Sequence, residues 1–173
     1  TFRLADSLPA SVVREIETER AQWLSARGIR HQAAGWKHEF AKLPSDERRI
    51  YEKLVGRMLN ESLDKCEGAC VLRDVSIARK VATALDLFHL SRVMTGDFVV
   101  MPNHVHALLT PCPGYDLEDI LHSIKSFTAN QINQALGQTG SLWQRESYDH
   151  IVRDLQQLEA YQQYIAANPF KAK

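Results

Sequence analysis

The chain has 173 residues, of which 45% are hydrophobic and 24% charged, and its 21 basic side chains are balanced by 21 acidic ones. This composition is typical of a folded globular protein and excludes wholesale disorder, and the length fits one domain or one domain with an insertion. A net charge of zero argues against a protein that binds nucleic acid mainly through a basic excess.

Cysteine usage and hydropathy bear on the cellular compartment. Three cysteines without dense spacing do not form a secreted disulfide framework. No stretch approaches the roughly 18 consecutive apolar residues of a membrane-spanning helix, and the first residues lack the pattern of a signal peptide. We therefore expect a cytoplasmic protein with no membrane partner.

Hydrophobic periodicity and turn residues predict the secondary structure in chain order. The predicted elements are a strand ending at Leu4, a helix from Ser7 to Gly28, a connection over 29–43, a helix from Pro44 towards Gly68, a helix from Asp74 to Phe88, strands over Asp97–Met101 and Val105–Thr110, a helix over Asp116–Gly137, a short strand around His150–Val152, and a helix from Leu155 to Asn168.

This order predicts an α+β fold with a ferredoxin-like β-α-β-β-α-β core followed by a C-terminal helix. Residues 29–75 are interpreted as a helical elaboration inside the first crossover, and residues 1–173 as a single domain. A mostly helical bundle with an appended hairpin is the alternative.

Two histidines at the start of the second hairpin strand are the most informative residues for chemistry. His104 and His106 stand two positions apart, so both imidazoles face the same side of the sheet. Two neutral imidazoles can bind one divalent metal ion if a third ligand comes from elsewhere. The alternative is a histidine pair that only forms hydrogen bonds at a sheet surface.

The last helix offers further groups for such a site. Tyr164 and Asn168 are four residues apart and share a helix face. The amide oxygen of Asn168 could complete a metal site, with the Tyr164 phenol one turn away as a nucleophile. The alternatives are a packed aromatic ring for Tyr164 and a helix C-cap for Asn168.

Several segments together resemble a known family. They are M-P-N-H-V-H, T-F-R-L-A-D-S-L-P, V-L-R-D, W-Q-R-E-S-Y-D-H-I-V-R-D and Y-I-A-A-N-P. The chain resembles the HUH single-strand DNA endonucleases, within them the one-tyrosine transposases, and most closely the REP-associated tyrosine transposases.

The resemblance implies a role for each matching residue. His104, His106 and Asn168 would be ligands of Mg²⁺ or Mn²⁺, and Tyr164 would be the catalytic nucleophile on a C-terminal helix. The activity would be metal-dependent nicking and strand transfer of single-stranded DNA at hairpin, REP-like sequences through a 5′-phosphotyrosine, hence DNA transposition or processing. The partner would be hairpin DNA near the nucleoid, with a monomer favoured over a dimer.

Other residues are weaker candidates. Tyr161 is the nearest rival nucleophile, but it has Ile165 rather than an amide four residues on. Asp149 and His150 could orient a histidine ligand. Possible DNA contacts are Lys125, Trp143, Arg145, Tyr148, Arg153 and Lys171. Each also has an ordinary structural interpretation, and for Trp143 this is a place in the core.

The charge distribution refines the expected DNA interaction. Residues 1–58 carry a net charge of +3, which makes them a candidate DNA-contacting surface. We expect modest affinity that depends on DNA structure. A non-catalytic ferredoxin-like regulator that binds nucleic acid, and a phosphohydrolase using metal-activated water, are the alternative functions.

Overall fold

A computed structural model describes residues 1–170, with the side chain of Phe170 left out. Its strands and α-helices are β1 (Phe2–Arg3), α1 (Ala10–Ser25), α2 (Trp36–Ala41), α3 (Ser45–Leu63), α4 (Val75–Phe88), β2 (Val93–Val100), β3 (His104–Pro111), α5 (Leu117–Leu136) and α6 (Leu155–Ala167). Short 3₁₀ turns cover Val71–Arg73 and Asn168–Phe170. Among these residues, no helix is both long and apolar enough to cross a membrane.

The chain forms two compact units. One consists of residues 1–7 together with the chain from Cys66 onward, and the other is Leu8–Lys65. The second unit contains α1, α2 and α3, with Leu8, Ile16 and Leu63 buried in a small core. The interpretation of residues 1–173 as a single domain, with 29–75 as an elaboration, stays a prediction.

The first unit contains an antiparallel three-stranded sheet in the order β1-β3-β2. The hairpin of β2 and β3 pairs Val99 with His106 and Val100 with Val105, while β1 pairs Phe2 with Val105 on the other side. The predicted hairpin is therefore confirmed, and the histidine-bearing strand is the central one.

The predicted strand around His150–Val152 is wrong, because these residues have no strand structure. On the edge of β1 that faces away from β3, the neighbouring segment is instead residues 142–148. Backbone hydrogen bonds join the two segments, among them Ala5 N to Leu142 O at 2.9 Å, Gln144 N to Arg3 O at 2.9 Å, and Tyr148 N to Thr1 O at 2.8 Å. The mixed α and β content is confirmed, whereas a four-stranded ferredoxin-like topology is not.

The main core lies between the sheet and helices α4 and α5. Val81 and Leu85 of α4, Ile124 of α5 and Val105 of β3 are completely buried there. The apolar stripe that predicted α4 thus faces the core. Because strand side chains alternate, the direction of Val105 sends both neighbouring histidines to the opposite face of the sheet.

One helix was missed by the sequence interpretation. Residues 29–43 were expected to be a connection, but α2 (Trp36–Ala41) forms within them. It is six residues long, and its Trp36 and Phe40 rings pack with centroids 6.1 Å apart. Two aromatic side chains four residues apart are too little pattern to identify a helix from spacing alone.

Candidate active site

The two histidines of β3 converge on each other. Their Nε2 atoms are 3.0 Å apart, and their ring planes are nearly perpendicular at 85°. Both side chains are buried. The expected shared face of the strand is therefore realised as direct contact between the two imidazoles.

The other ring nitrogen of His104 has a fixed partner. Asn103 Oδ1 lies 2.7 Å from His104 Nδ1, and Asn103 Nδ2 donates to the carbonyl of Glu67 at 3.1 Å. Because the amide nitrogen must face a carbonyl, its oxygen faces the imidazole and accepts a hydrogen bond from Nδ1–H. His104 therefore presents the lone pair of Nε2 to His106.

Burial keeps His104 uncharged. Its removal from water lowers the pKa of His104 from an ordinary value of 6.5 to about 3. The neutral imidazole is the form that binds metal ions.

His106 has a partner that can act in two ways. Its Nδ1 is 2.7 Å from the Thr1 hydroxyl, which can donate or accept. When the hydroxyl donates, His106 carries its proton on Nε2 and bonds to His104. When it accepts, the proton is on Nδ1 and both Nε2 lone pairs are available to a cation.

Helix α6 brings the tyrosines to this side of the sheet. The Tyr164 ring lies edge-on to His106, with centroids 5.1 Å apart. Tyr161 packs instead against His150 at 5.5 Å. Tyr164 is thus in contact with the histidine pair.

One hydrogen bond caps α6 and another joins it to the hairpin. The Asp154 carboxylate caps the helix by accepting from Gln157 N at 2.8 Å. Further along, Gln162 Nε2 donates to the Asp97 carboxylate of β2 at 2.7 Å. Asp97 lies where the register of β2 and β3 slips.

Asn168 follows α6 and is 0% exposed. Neither its Oδ1 nor its Nδ2 has a hydrogen-bond partner within the described part of the chain. Buried amides are nearly always hydrogen-bonded, so this one is a candidate for a ligand. It lies one turn beyond Tyr164 on the same helix face.

The two imidazoles are donors of a kind that binds divalent metal ions. Two imidazole nitrogens meet at 3.0 Å, and the unsatisfied amide follows the helix packed against them. An amide oxygen suits ions such as Mn²⁺ and Mg²⁺, whereas imidazole nitrogen suits transition-metal ions. Residues 1–170 hold no cluster of three or more His, Cys, Asp and Glu side chains able to bind a metal ion.

Asp149 and His150 have other surroundings. Asp149 is exposed, and its charge acts on Lys125. His150 packs against Tyr161. Since the Nδ1 atoms of the histidine pair contact Asn103 and Thr1, a role for Asp149 or His150 in orienting a ligand stays a prediction.

Lys125 is bound to the segment that borders β1. Its Nζ donates to the carbonyls of Gln144 at 3.2 Å and Arg145 at 3.0 Å. Burial lowers its pKa, while the carboxylates of Asp149 and Glu146 oppose that shift. Its position supports this segment, and its contact with DNA stays a prediction.

Trp143 lies in the core. Its ring is 5% exposed, packs edge-on against Phe2 at 5.0 Å and donates from Nε1 to Thr128 Oγ1 at 2.9 Å. This placement favours the core interpretation over stacking on a DNA base, because no face of the indole is open.

The remaining predicted DNA contacts differ in position. Arg145 and Arg153 are exposed, and Tyr148 is half-buried beside β1. Lys171 lies outside the described residues. Contact of these four side chains with DNA stays a prediction.

Comparison with known families settles the broad class of the protein. The family described as IS200-like transposases matches residues 82–168, which is just over half of the chain and runs from α4 to Asn168. The chain belongs to the IS200-like transposase family. No curated protein and no solved structure gives a significant match.

Membership in the IS200-like transposases indicates a DNA-processing enzyme that acts in DNA transposition, with DNA as its partner. The matched region contains the hairpin, the histidine pair and all of α6. A REP-associated specificity stays a prediction.

Sequence interpretation did not find the partners of the two imidazoles. Asn103 lies between the two predicted hairpin strands, and a polar residue next to a potential ligand is a usable signal. Thr1 carries no local signal, because its contact with His106 arises from the pairing of β1 with β3.

Proposed function

We propose that the protein nicks and rejoins single-stranded DNA in a reaction that uses a divalent metal ion and forms a covalent bond to Tyr164. The observation that carries this proposal is the contact of Tyr164 with His106, within a buried pair of imidazoles that share a face of the sheet. His104, His106 and Asn168 are the proposed ligands of Mg²⁺ or Mn²⁺.

A bound ion would supply Lewis-acid polarisation of the scissile phosphate and charge stabilisation in the transition state. The protein contributes two neutral imidazoles, a buried amide and the low-dielectric surroundings that strengthen these interactions. His104 is suited to this role because burial keeps it neutral.

The tyrosine performs the covalent step. Tyr164 Oη loses its proton and attacks phosphorus, forming a phosphotyrosine at the 5′ side of the break. The bond from phosphorus to the 3′ oxygen breaks, and that oxygen takes up a proton. An ordinary phenol has a pKa of about 10, and a cation held by the proposed ligands would favour the phenolate of Tyr164.

The covalent bond preserves the energy of the phosphodiester. A 3′-hydroxyl of another strand can attack the phosphotyrosine, restore a phosphodiester and release Tyr164 without ATP. This reversal turns nicking into strand transfer, which agrees with the transposase family.

We also propose that one chain supplies both halves of the site. Tyr164 contacts His106 of its own chain, and Gln162 binds Asp97 in the same arrangement. This supports a monomer acting in cis, in line with the predicted oligomeric state.

Hairpin DNA of the REP type is the proposed substrate. A chain with no net charge gains little from phosphate neutralisation along a duplex. A compact site whose positive charge comes from a metal ion needs few basic side chains. This supports recognition of DNA structure rather than of extended duplex.

The test is to incubate the protein with single-stranded hairpin DNA and Mn²⁺ and to measure a protein–DNA adduct that survives denaturation. Addition of EDTA and replacement of the hairpin by perfect duplex should each abolish it. Cleavage without an adduct would instead indicate hydrolysis by metal-activated water. Binding without cleavage would indicate a regulatory DNA-binding protein.

A further inference from the structure

We propose that Asn103 is a positioning residue that fixes the tautomer and ring orientation of His104 by connecting it to the loop Cys66–Cys70. The inference rests on the proposed function, because it treats His104 as a metal ligand. It adds a buried residue that acts through a proposed ligand.

The side chain of Asn103 is fully buried between two partners. Its oxygen accepts from His104 Nδ1 at 2.7 Å, and its nitrogen donates to Glu67 O at 3.1 Å. Flipping the amide would set its nitrogen against Nδ1–H and its oxygen against a carbonyl. The Glu67 carbonyl therefore decides which end of Asn103 faces the histidine.

The carbonyl of Glu67 is itself held in place. The next residue, Gly68, has φ +89°, and a Cβ there would lie 2.5 Å from the backbone oxygen of Asp6. The amide of Ala69 donates to the Asp6 carboxylate at 2.7 Å. Only glycine fits this close approach, so the loop has a fixed path past Asp6.

Fixing the tautomer matters because Nε2 is the nitrogen that faces the other histidine. A proton on Nε2 would remove the lone pair that binds a metal. An acceptor at Nδ1 holds the proton there, and hydrogen-bond partners of this kind typically change metal affinity 10–100-fold. Burial makes the effect stronger, since bulk water does not replace a lost partner.

Asn103 also has a purely structural contact, which is separable from its side chain. Its backbone carbonyl accepts from Leu4 N at 2.9 Å, and any substitution at this position keeps that hydrogen bond. A change in the tautomer of His104 or in metal affinity in such a variant can therefore be attributed to the loss of the side-chain amide.

The test compares Asn103→Ala, Asn103→Asp and the control Thr128→Val. Thr128 is fully buried in the same unit and accepts a hydrogen bond from Trp143, so its substitution disturbs a buried polar contact without touching either histidine. The readouts are the tautomer of His104, from ¹H–¹⁵N NMR of metal-free protein with labelled histidine, and the Mn²⁺ affinity by calorimetry.

In the wild-type protein and in Thr128→Val, the Nδ1–H tautomer and the Mn²⁺ affinity should be the same. Asn103→Ala should lose the exclusive Nδ1–H tautomer and bind Mn²⁺ about tenfold more weakly or worse. Asn103→Asp keeps an acceptor for Nδ1–H but replaces the donor to Glu67 with a second oxygen, so the contact with the loop is lost. It should keep the tautomer but bind Mn²⁺ no more tightly than the wild type, because the ring is less firmly held.

The proposal is overturned if folded Asn103→Ala keeps the wild-type tautomer. It is also overturned if Asn103→Asp loses that tautomer, a result that decides the matter even where the alanine variant does not fold. Failure of the wild-type protein to bind Mn²⁺ would contradict the proposed function instead, while the metal-free NMR spectra would still test Asn103.

Discussion

The Tyr164 ring stands edge-on to the imidazole of His106, with ring centroids 5.1 Å apart and planes at 83°. This contact joins the last helix to the central strand of the sheet. Asn168 follows one turn later on the same helix face, buried with an unsatisfied amide. The proposed nucleophile and the proposed third ligand are thus set by the way one helix is placed.

The first prediction concerns the choice of tyrosine. Tyr164→Phe keeps the ring that packs on His106 but removes the attacking oxygen, so adduct formation should fall by about 10³-fold or more. Tyr161→Phe is the matched control, since its ring packs on His150 instead, and it should retain nearly the wild-type rate. Denaturing gels of hairpin DNA with Mn²⁺ measure both. The opposite ranking would assign the nucleophile to Tyr161.

The second prediction concerns metal binding in the absence of DNA. Free Mn²⁺ at a hundredfold excess over its Kd should stabilise the wild-type protein by about 2.7 kcal/mol. His104→Gln removes one proposed ligand and should abolish the shift in Tm. His122→Gln, at an exposed position on α5, should leave it unchanged. Thermal unfolding of each protein in EDTA and in Mn²⁺ gives the shift in Tm. An equal shift in the wild type and both variants would refute a metal site that includes His104.

Many elements of this fold can be predicted from the sequence because its strongest hydrophobic patterns are local. The spacing of Ile77, Val81 and Leu85 predicts α4, and all three are buried in the core. The alternation around Val105 predicts that His104 and His106 share the face opposite the core. Such periodicities depend only on the geometry of a helix or a strand.

The wrong strand at His150–Val152 shows where local patterns fail. A strand needs a partner edge as well as apolar residues, and the edge of β1 is already bordered by residues 142–148. Ile151 is 73% exposed, so its side chain contributes little burial to hold the segment on a sheet. The residues of His150–Val152 themselves give no indication that the edge of β1 already has a neighbouring segment.

The partners of the histidines were hidden from the sequence for the same reason. Glu67 reaches Asn103, and Thr1 reaches His106, only after the chain folds. Spacing predicted that His104 and His106 share a strand face and that Tyr164 and Asn168 share a helix face, because each pair lies on one element. It could not predict hydrogen bonds between elements that are distant in the chain.

The third prediction tests the burial of Trp143. Trp143→Leu removes the hydrogen bond to Thr128 and the contact with Phe2, and the free energy of unfolding should fall by about 2–4 kcal/mol. Urea titration measures this loss. The Kd for hairpin DNA, measured where the variant is folded, should be unchanged. A Kd more than about fivefold weaker would instead indicate base stacking.

The fourth prediction concerns acid stability. Hydrogen bonds from Ser76 to the Asp74 carboxylate, which caps α4, lower the pKa of Asp74 below its ordinary value of 3.8. Its contribution to stability is therefore present above the unfolded pKa and lost as the pH falls through the folded one. Asn caps helices about as well as Asp but does not titrate. Urea unfolding of Asp74→Asn should thus depend less steeply on pH below about 4, and equal slopes would contradict the prediction.

The last prediction separates stability from function at Asn168. Its buried amide has no hydrogen-bond partner among the described residues, and an unsatisfied buried polar group costs about 1–3 kcal/mol. Asn168→Leu replaces it with an apolar side chain of similar size. The metal-free protein should become more stable by about 1 kcal/mol or more, while the stabilisation by Mn²⁺ and the formation of the DNA adduct are both lost.

Urea unfolding in EDTA measures the first effect, and thermal unfolding with Mn²⁺ measures the second. Gln163→Leu is the control, because Gln163 is an exposed residue of the same helix and its substitution should leave Mn²⁺ binding intact. A destabilised Asn168→Leu protein that still binds Mn²⁺ would show that the amide holds the helix end and is not a ligand. A more stable protein without metal binding would show that this residue is retained for the reaction at a cost to the fold.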